Sequence, residues 1–148
     1  MLPMTVLQTF VDNIGKAVME ERFDDYAAMI ELPLTILTSS ARLKVSTRDD
    51  LEEGFVAFTE MLRSIGVTSY VRTVKHARFQ GNDHIVGIYE TRLMHGQHQV
   101  VPTFHSKMWI GSSDGVWKTI RINNTTNDAR WPMLLTRLAP SPWPLEET

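Results

Sequence analysis

The chain has 148 residues, a formal net charge of −2 and 43% hydrophobic residues, which is typical of one globular domain with one hydrophobic core. This charge gives no electrostatic reason to expect nucleic acid or an anionic membrane as a partner. Because cysteine is absent, disulfides, thiolate nucleophiles and cysteine metal sites are excluded. The sequence has neither a bilayer-length apolar run nor a signal-peptide pattern, so we expect a cytoplasmic protein with no membrane partner.

Three helices are predicted in the first half of the chain. Apolar residues at helical spacing predict the first over residues 5–21, with Thr5 as its N-cap. A second, shorter helix is predicted over residues 23–33, where Pro33 would end it. The third is expected over residues 47–66, because a capping threonine and an acidic cluster begin the segment and a glycine ends it.

The second half of the chain is predicted to form a sheet. From residue 67 the apolar period changes from 3.6 to 2, and glycine-containing turn signals interrupt the pattern. Helices followed by an antiparallel meander predict a single α+β domain, with its core at about residues 5–124 and a C-terminal extension at 125–148. The predicted strands cover residues 68–80, 85–94, 97–110 and 116–123, in addition to a small hairpin around residues 39–40.

The register of these strands predicts which side chains face the helices. If His95 and Gly96 form a two-residue turn, one face of strands 85–94 and 97–110 carries no formal charge and should point inward. A four-residue loop at 112–115 extends this register to the last strand. The side chains then predicted to line a pocket are Tyr89, Thr91, Phe104, Ser106, Trp117, Arg121 and Asn123.

The strand at residues 68–80 is ambiguous. Its odd positions are the more apolar and are expected to face inward: Val71, Thr73, Ala77 and Phe79. A bulge near Thr73 would instead send Tyr70 and Arg72 into the pocket, so we include both as candidate ligand contacts.

The predicted inward position of Arg121 is the feature that most favours a pocket. An arginine is costly to bury without a partner. Arg121 would therefore contact a ligand, or it would pair with an acidic residue of the helical region, such as Asp24, Asp25 or Glu31. The register rests on two turn assignments, and a single bulge would invert one strand.

The pattern of elements over residues 6–124 resembles the nuclear transport factor 2-like superfamily, and its ketosteroid-isomerase-like and SnoaL-like branch in particular. The segments that carry the resemblance are FDDYAAMIELPLTIL, VTSYVRTVKHARFQGNDHIVGIYET and DGVWKTIRINN. The resemblance implies a cystatin-like roll, in which a cone-like curved antiparallel sheet wraps three N-terminal helices. It also implies a ligand pocket at the open end of the cone and dimerisation through the sheet.

The resemblance does not assign a reaction. Ketosteroid isomerases use a carboxylate base with a tyrosine and a protonated acid. Tyr70 or Tyr89 is a candidate hydroxyl donor, but no acidic residue falls on the predicted inner face of the last three strands. The histidines are scattered and form no metal-ligand motif, so we expect neither a metal nor a cofactor, and the catalytic residues are unknown.

Three functions are therefore considered. The preferred one is binding of an unknown small apolar or amphipathic molecule in the pocket. The alternatives are an isomerase, cyclase or dehydratase that works by general acid–base catalysis, and a non-catalytic dimeric interaction module.

The opposite face of the sheet is predicted to bind a partner, because it is too apolar to be exposed to water. We expect a homodimer through this outer face, and the alternative is that the C-terminal segment covers it through Trp131 and Leu134. The apolar residues predicted there are Val86, Ile88, Val101, Trp109, Ile120 and Ile122.

Overall fold

A computed structural model describes residues 2–38 and 42–124. Its helices are α1 (Pro3–Met19), α2 (Phe23–Ala28) and α3 (Arg48–Ser64). Its strands are β1 (Ile30–Leu37), β2 (Arg42–Val45), β3 (Ser69–Phe79), β4 (His84–His95), β5 (His98–Gln99), β6 (Phe104–Ser113) and β7 (Val116–Asn124). Within these residues, no helix is both long enough and apolar enough to cross a membrane.

Two of the predicted helix boundaries were wrong. Helix α1 begins at Pro3 and its N-cap position is Leu2 rather than Thr5, because proline is well accommodated in a first helical turn. Helix α2 ends at Ala28, and Pro33 lies within β1. The chain leaves the helix early because β1 pairs with both β2 and β7.

The capped start predicted for the third helix is confirmed. The Thr47 side chain accepts a hydrogen bond from the Asp50 backbone N–H at 3.1 Å, and helix α3 follows directly. Strands β1 and β2 form the predicted antiparallel hairpin, although its turn at residues 39–40 lies outside the described residues.

The strands form one curved, unclosed sheet in the order β2-β1-β7-β6-β4-β3, with β5 paired to β4. Strand β1 pairs with β7 in parallel, whereas the other pairings are antiparallel. The α+β class and the cone-like fold are confirmed, but the sheet is mixed rather than wholly antiparallel. Its parallel pair arises because the N-terminal hairpin joins the edge of the C-terminal meander.

The turn between β4 and β5 lies one residue later than predicted, at Gly96 and Gln97, so that His95 pairs with His98. Strand β6 then begins only at Phe104. The register between β4 and β6 differs from the predicted one by an even number of residues, and side chains alternate along a strand with a period of two. The two strands therefore keep the inner and outer faces that the sequence predicted.

Helix α1 packs against the inner face of β3 and β4 and forms the main core with them. The approach is closest at Gly87, where an added Cβ would lie 2.3 Å from the Leu7 Cδ2 atom and 2.8 Å from the His76 carbonyl oxygen. Only glycine permits this contact. A second, smaller core joins β1 and β2 to Leu51 of α3.

Candidate functional site

A cavity of about 90 Å³ lies between the three helices and the inner face of the sheet. A single water needs roughly 10–15 Å³ on this scale, so the cavity is large enough for a compact organic molecule. Most of its wall is apolar or aromatic, with a few polar groups among them. The lining residues are Ile14, Val18, Tyr26, Ile30, Phe55, Phe58, Tyr70, Arg72, Tyr89, Thr91, Phe104, Ser106, Met108, Thr119, Ile122 and Asn124.

A bulge in β3 places Tyr70 and Arg72 in this cavity. The register with β4 shifts between Val74 and His76, which leaves Lys75 as the extra residue. Before the bulge the even-numbered side chains of β3 face inward, such as Arg72 and Val74. After the bulge the odd-numbered Ala77 faces inward. The expectation that Val71 and Thr73 face inward was therefore wrong, and the bulge lies two residues beyond the predicted position.

Gln8 of α1 holds β3 at this point. Its side-chain Nε2 donates to the Arg72 carbonyl at 2.8 Å, and its Oε1 accepts from the Val74 backbone N–H at 2.9 Å. Strand β3 is the edge of the sheet, so its free backbone groups need partners. The glutamine amide supplies both partners and fixes the backbone on each side of Thr73. The sequence did not point to this residue, because Gln8 resembles any polar residue of an amphipathic helix.

Arg72 is the cation of the cavity and is only 7% exposed. Its guanidinium lies 4.5 Å from the centre of the Tyr70 ring and 5.5 Å from that of Tyr89. One Nη donates to the Val11 carbonyl at 3.2 Å, whereas the buried Nε has no hydrogen-bond partner. Among the described residues, no carboxylate forms an ion pair with Arg72.

Burial sets the ionisation of the nearby tyrosines. Desolvation raises the pKa of Tyr26 and of Tyr70 above the ordinary value, although the positive charge of Arg72 opposes the rise in both cases. Desolvation lowers the pKa of Arg72, but electrostatic interactions with Tyr70 and Tyr89 and a hydrogen bond with the Tyr89 side chain outweigh it and raise the pKa overall. At neutral pH the cavity thus holds a guanidinium cation beside neutral phenols, which can donate hydrogen bonds.

A second polar group lies where β6 meets β7. The Ser106 hydroxyl donates to the Asn124 Oδ1 atom at 2.6 Å, and the Thr119 hydroxyl lies 3.6 Å from the Met108 sulfur. Each of these contacts joins the two strands. Since Ser106 and Asn124 are already paired with each other, they contribute a polar wall rather than a free binding group.

A bulge in β7 removes Arg121 and Asn123 from the predicted site. The register with β6 shifts at Ile120, so that Arg121 pairs with Trp109 and Asn123 with Lys107 on the outer side. Their place in the cavity is taken by the residues that follow each of them, Ile122 and Asn124. The expectation for Arg121 and Asn123 was wrong because one extra residue reverses the side-chain alternation of the strand.

The proposed ion pair of Arg121 with the helical acids was also wrong. Asp24 pairs with Arg48 at 2.6 Å, Asp25 pairs with Arg22, and no ion pair among the described residues joins Glu31 to Arg121. The Arg121 guanidinium instead lies 4.6 Å from the centre of the Trp109 ring on the outer face.

Six of the nine candidate residues meet at the cavity: Tyr70, Arg72, Tyr89, Thr91, Phe104 and Ser106. Trp117 packs against the main core without lining the cavity, because it pairs with Ser112 at the far end of β7. The sequence analysis did not assign the helical part of the wall to the pocket, and this part is formed by Ile14, Val18, Phe55 and Phe58. Tyr26 was also missed, and it carried no signal beyond its aromatic character.

The outer face has fewer exposed apolar residues than the sequence predicted. Val86 and Ile88 are each 1% exposed. Val101 and Ile122 pack against the main core. Trp109 is half-buried, with Lys107 and Arg121 over its ring.

The described lining of the cavity contains no carboxylate and no imidazole. Among the described residues that line it, none is an aspartate, glutamate or histidine, so the general base that the isomerase hypothesis requires is not present there. The same part of the chain contains no cluster of three or more potential metal ligands. The described wall thus combines one cation and several hydroxyl groups with an apolar surface.

Solved structures show which fold this is. An NTF2-like protein of unknown function from Shewanella oneidensis is 13% identical, with a TM-score of 0.63 over 83% of this chain and 98% of that one. An NTF2-like protein from Cytophaga hutchinsonii is 14% identical, with a TM-score of 0.62 over 84% and 98%. A protein of unknown function with a cystatin-like fold from Nostoc punctiforme is 17% identical, with a TM-score of 0.60 over 86% and 92%.

The chain therefore has the nuclear transport factor 2-like, cystatin-like fold, as its sequence pattern predicted. At these identities the similarity establishes the fold alone, and the ketosteroid-isomerase-like and SnoaL-like branch stays a prediction. No protein-family model matches the sequence, and neither does a curated protein.

Proposed function

We propose that this protein binds a small, largely apolar molecule in the cavity between its helices and its sheet. The observation that carries the proposal is the wall itself, which combines aromatic and aliphatic side chains with a buried guanidinium and phenol groups. Apolar cavities with a few converging polar groups are the usual form of small-molecule sites. A cavity that served only packing would gain nothing from a buried cation, which is costly to desolvate.

Titration of the protein with benzyl alcohol, followed by amide chemical shifts in NMR, tests the proposal. This neutral probe has one ring and one hydroxyl group, which match the size and polarity of the cavity. We expect saturable binding with a Kd of roughly 1 mM or lower, given the affinity that so few atoms can provide. The shifted amides should belong to residues around the cavity, such as Tyr89 and Met108.

A matched pair of substitutions shows whether the cavity is the site. Val18 is 3% exposed and lines the cavity, whereas Val56 is 46% exposed on α3. The substitution Val18→Phe should fill the cavity and weaken binding by at least about tenfold, and Val56→Phe should leave it unchanged. If the wild-type protein binds none of benzyl alcohol, benzamide and benzoate saturably, the proposal is wrong.

The homodimer through the outer sheet face stays a prediction, and so does the cytoplasmic location. The burial of Val86 and Ile88 within the single chain leaves the half-buried Trp109 and Ile120 as the main apolar groups for such an interface. Sedimentation equilibrium of the wild-type protein and of Trp109→Lys would decide between a dimer through this face and a monomer.

A further inference from the structure

The charge of Arg72 has no counter-charge among the described residues, although its side chain is buried. The Nε–H has no acceptor, and one Nη–H is satisfied by the Val11 carbonyl. A guanidinium carries five N–H donors in a planar fork, so this one has unused hydrogen-bonding capacity beside the cavity. Buried cations are normally paired, because an unpaired one loses its hydration without compensation.

The surroundings of Arg72 stabilise the cation only in part. Tyr70 and Tyr89 present ring faces at 4.5 and 5.5 Å, which attract the cation, and the Tyr89 side chain also forms a hydrogen bond with the guanidinium. The guanidinium lies against helix α1 at Gly15, where an added Cβ would be at an ordinary contact distance of 3.7 Å from Nη2. The guanidinium is therefore held by the Val11 carbonyl, the Tyr89 side chain and the two rings, whereas its Nε–H still has no acceptor.

We infer that the ligand of this cavity is a small organic acid, whose carboxylate pairs with the Arg72 guanidinium and whose apolar part lies against the aromatic wall. The inference rests on the proposed function, since it names the chemical class of the molecule in the same cavity. A carboxylate matches the planar fork of an arginine with two parallel hydrogen bonds. It would also supply the negative charge that the described wall lacks.

Tyr70 offers the carboxylate of the ligand a further hydrogen-bond donor. The Tyr70 ring already touches the guanidinium, and its buried phenol stays protonated at neutral pH because desolvation raises its pKa. A protonated phenol donates a hydrogen bond to an anion and does not repel it. Arg72 and Tyr70 together therefore favour an ionised acid over the corresponding neutral amide.

A comparison of three probes on the wild-type protein tests the inference without any substitution. Benzoate and benzamide have nearly the same shape but differ in charge, and acetate keeps the charge without the ring. By isothermal titration calorimetry at neutral pH, we expect benzoate to bind about 10- to 100-fold more tightly than benzamide, as a charge-assisted pair implies. Acetate should bind more weakly than benzoate, because it leaves the aromatic wall uncovered.

Substitutions at the two arginines assign the preference to Arg72. The substitution Arg72→Met should abolish the preference for benzoate while benzamide still binds, and Arg72→Lys should retain part of it, since lysine keeps the charge but not the fork. Arg121→Met is the matched control, because Arg121 lies on the outer face, and it should leave all three affinities unchanged.

Acidic residues at 128, 146 and 147 lie outside the described residues, and an internal carboxylate from this segment is the competing explanation. The triple variant Asp128→Asn, Glu146→Gln, Glu147→Gln should bind benzoate as the wild-type protein does. A gain of tenfold or more in that variant would show that the chain supplies its own anion, and the inference would be wrong.

The outcomes separate this inference from the proposed function. Equal affinities of the wild-type protein for benzoate and benzamide would overturn the organic-acid assignment and leave a neutral binding cavity. Equal affinities for benzoate and acetate would overturn the role of the aromatic wall. The absence of binding by benzyl alcohol, benzamide and benzoate alike would contradict the proposed function itself.

Discussion

Arg72 and Arg121 lie on opposite faces of one sheet, and their surroundings differ in both solvent exposure and partners. Arg72 is 7% exposed between tyrosine rings, and its Nε has no acceptor. Arg121 is exposed to solvent and covers the Trp109 ring. The exposure of Arg121 leaves its N–H groups accessible to water, whereas those of Arg72 depend on the protein and on the contents of the cavity.

A bulge in each strand decides this difference. In a regular strand Arg72 and Ala77 would face opposite sides, because one position is even-numbered and the other odd-numbered. Both face inward in β3 because Lys75 is an extra residue between them. The extra residue Ile120 in β7 turns Arg121 outward and Ile122 inward. The comparison shows that a single unpaired residue can determine whether an arginine becomes part of a cavity or of a surface.

The largest expected effect tests the face assignment in β7. Ile122 lines the cavity and packs against both cores, whereas Ile120 belongs to neither. The substitution Ile122→Lys should lower the free energy of unfolding by about 2–4 kcal/mol, because it removes core contacts and places an ammonium group against an apolar wall. Denaturant unfolding measures the change.

The matched control is Ile120→Lys, which should cost about 0.5 kcal/mol or less. If the Ile120 variant were the less stable of the two, the position of the bulge and the outward orientation of Arg121 would both be wrong.

Substitution of Arg72 is expected to have an intermediate effect on the free energy of unfolding, and to raise it instead of lowering it. In the absence of a ligand, Arg72→Met should raise the free energy of unfolding by about 1 kcal/mol, because an apolar side chain replaces a buried charge that has no ion-pair partner. Arg121→Met should change it by no more than about 0.5 kcal/mol. Thermal unfolding of the two variants side by side provides the comparison, and a clear loss of stability in the Arg72 variant would show that the charge is already compensated.

The smallest expected effect concerns alkaline pH. The chain has three tyrosines, and burial raises the pKa of Tyr26 and Tyr70 above 10. A raised pKa in the folded state means that the stabilisation is complete below pH 10 and is lost as the pH rises further. We therefore expect phenolate absorbance from Tyr26 and Tyr70 only above pH 10, together with a falling stability.

The arginine variants sharpen this titration. Because the charge of Arg72 lowers the pKa of both tyrosines, Arg72→Met should move the phenolate signal to still higher pH, and Arg121→Met should leave it in place. A complete ionisation of Tyr26 and Tyr70 near pH 10 in the folded protein would contradict the effect of their burial.

The part of the site that could be predicted lies on regular strands, where side chains alternate between the two faces of the sheet. Tyr89, Thr91, Phe104 and Ser106 lie on regular stretches of β4 and β6, where period two determines the face even though the turn position was wrong by one residue. Arg121 lies beyond a bulge. The bulged residue is Ile120, and an isoleucine gives no indication of a bulge in the sequence. Tyr70 and Arg72 were assigned only as an alternative, because the apolar count of their strand favoured the opposite face.

The sequence by itself determined the order of helices and strands, the α+β class and the face of each regular strand, since these depend on local periodicity and on turn residues. Tertiary structure alone decided the parallel pairing of β1 with β7 and the two bulges that separate Arg72 from Arg121. Those features depend on contacts between distant segments, such as Gln8 of α1 with the edge of β3. Local sequence cannot encode them, because the partner that satisfies each backbone group lies far away along the chain.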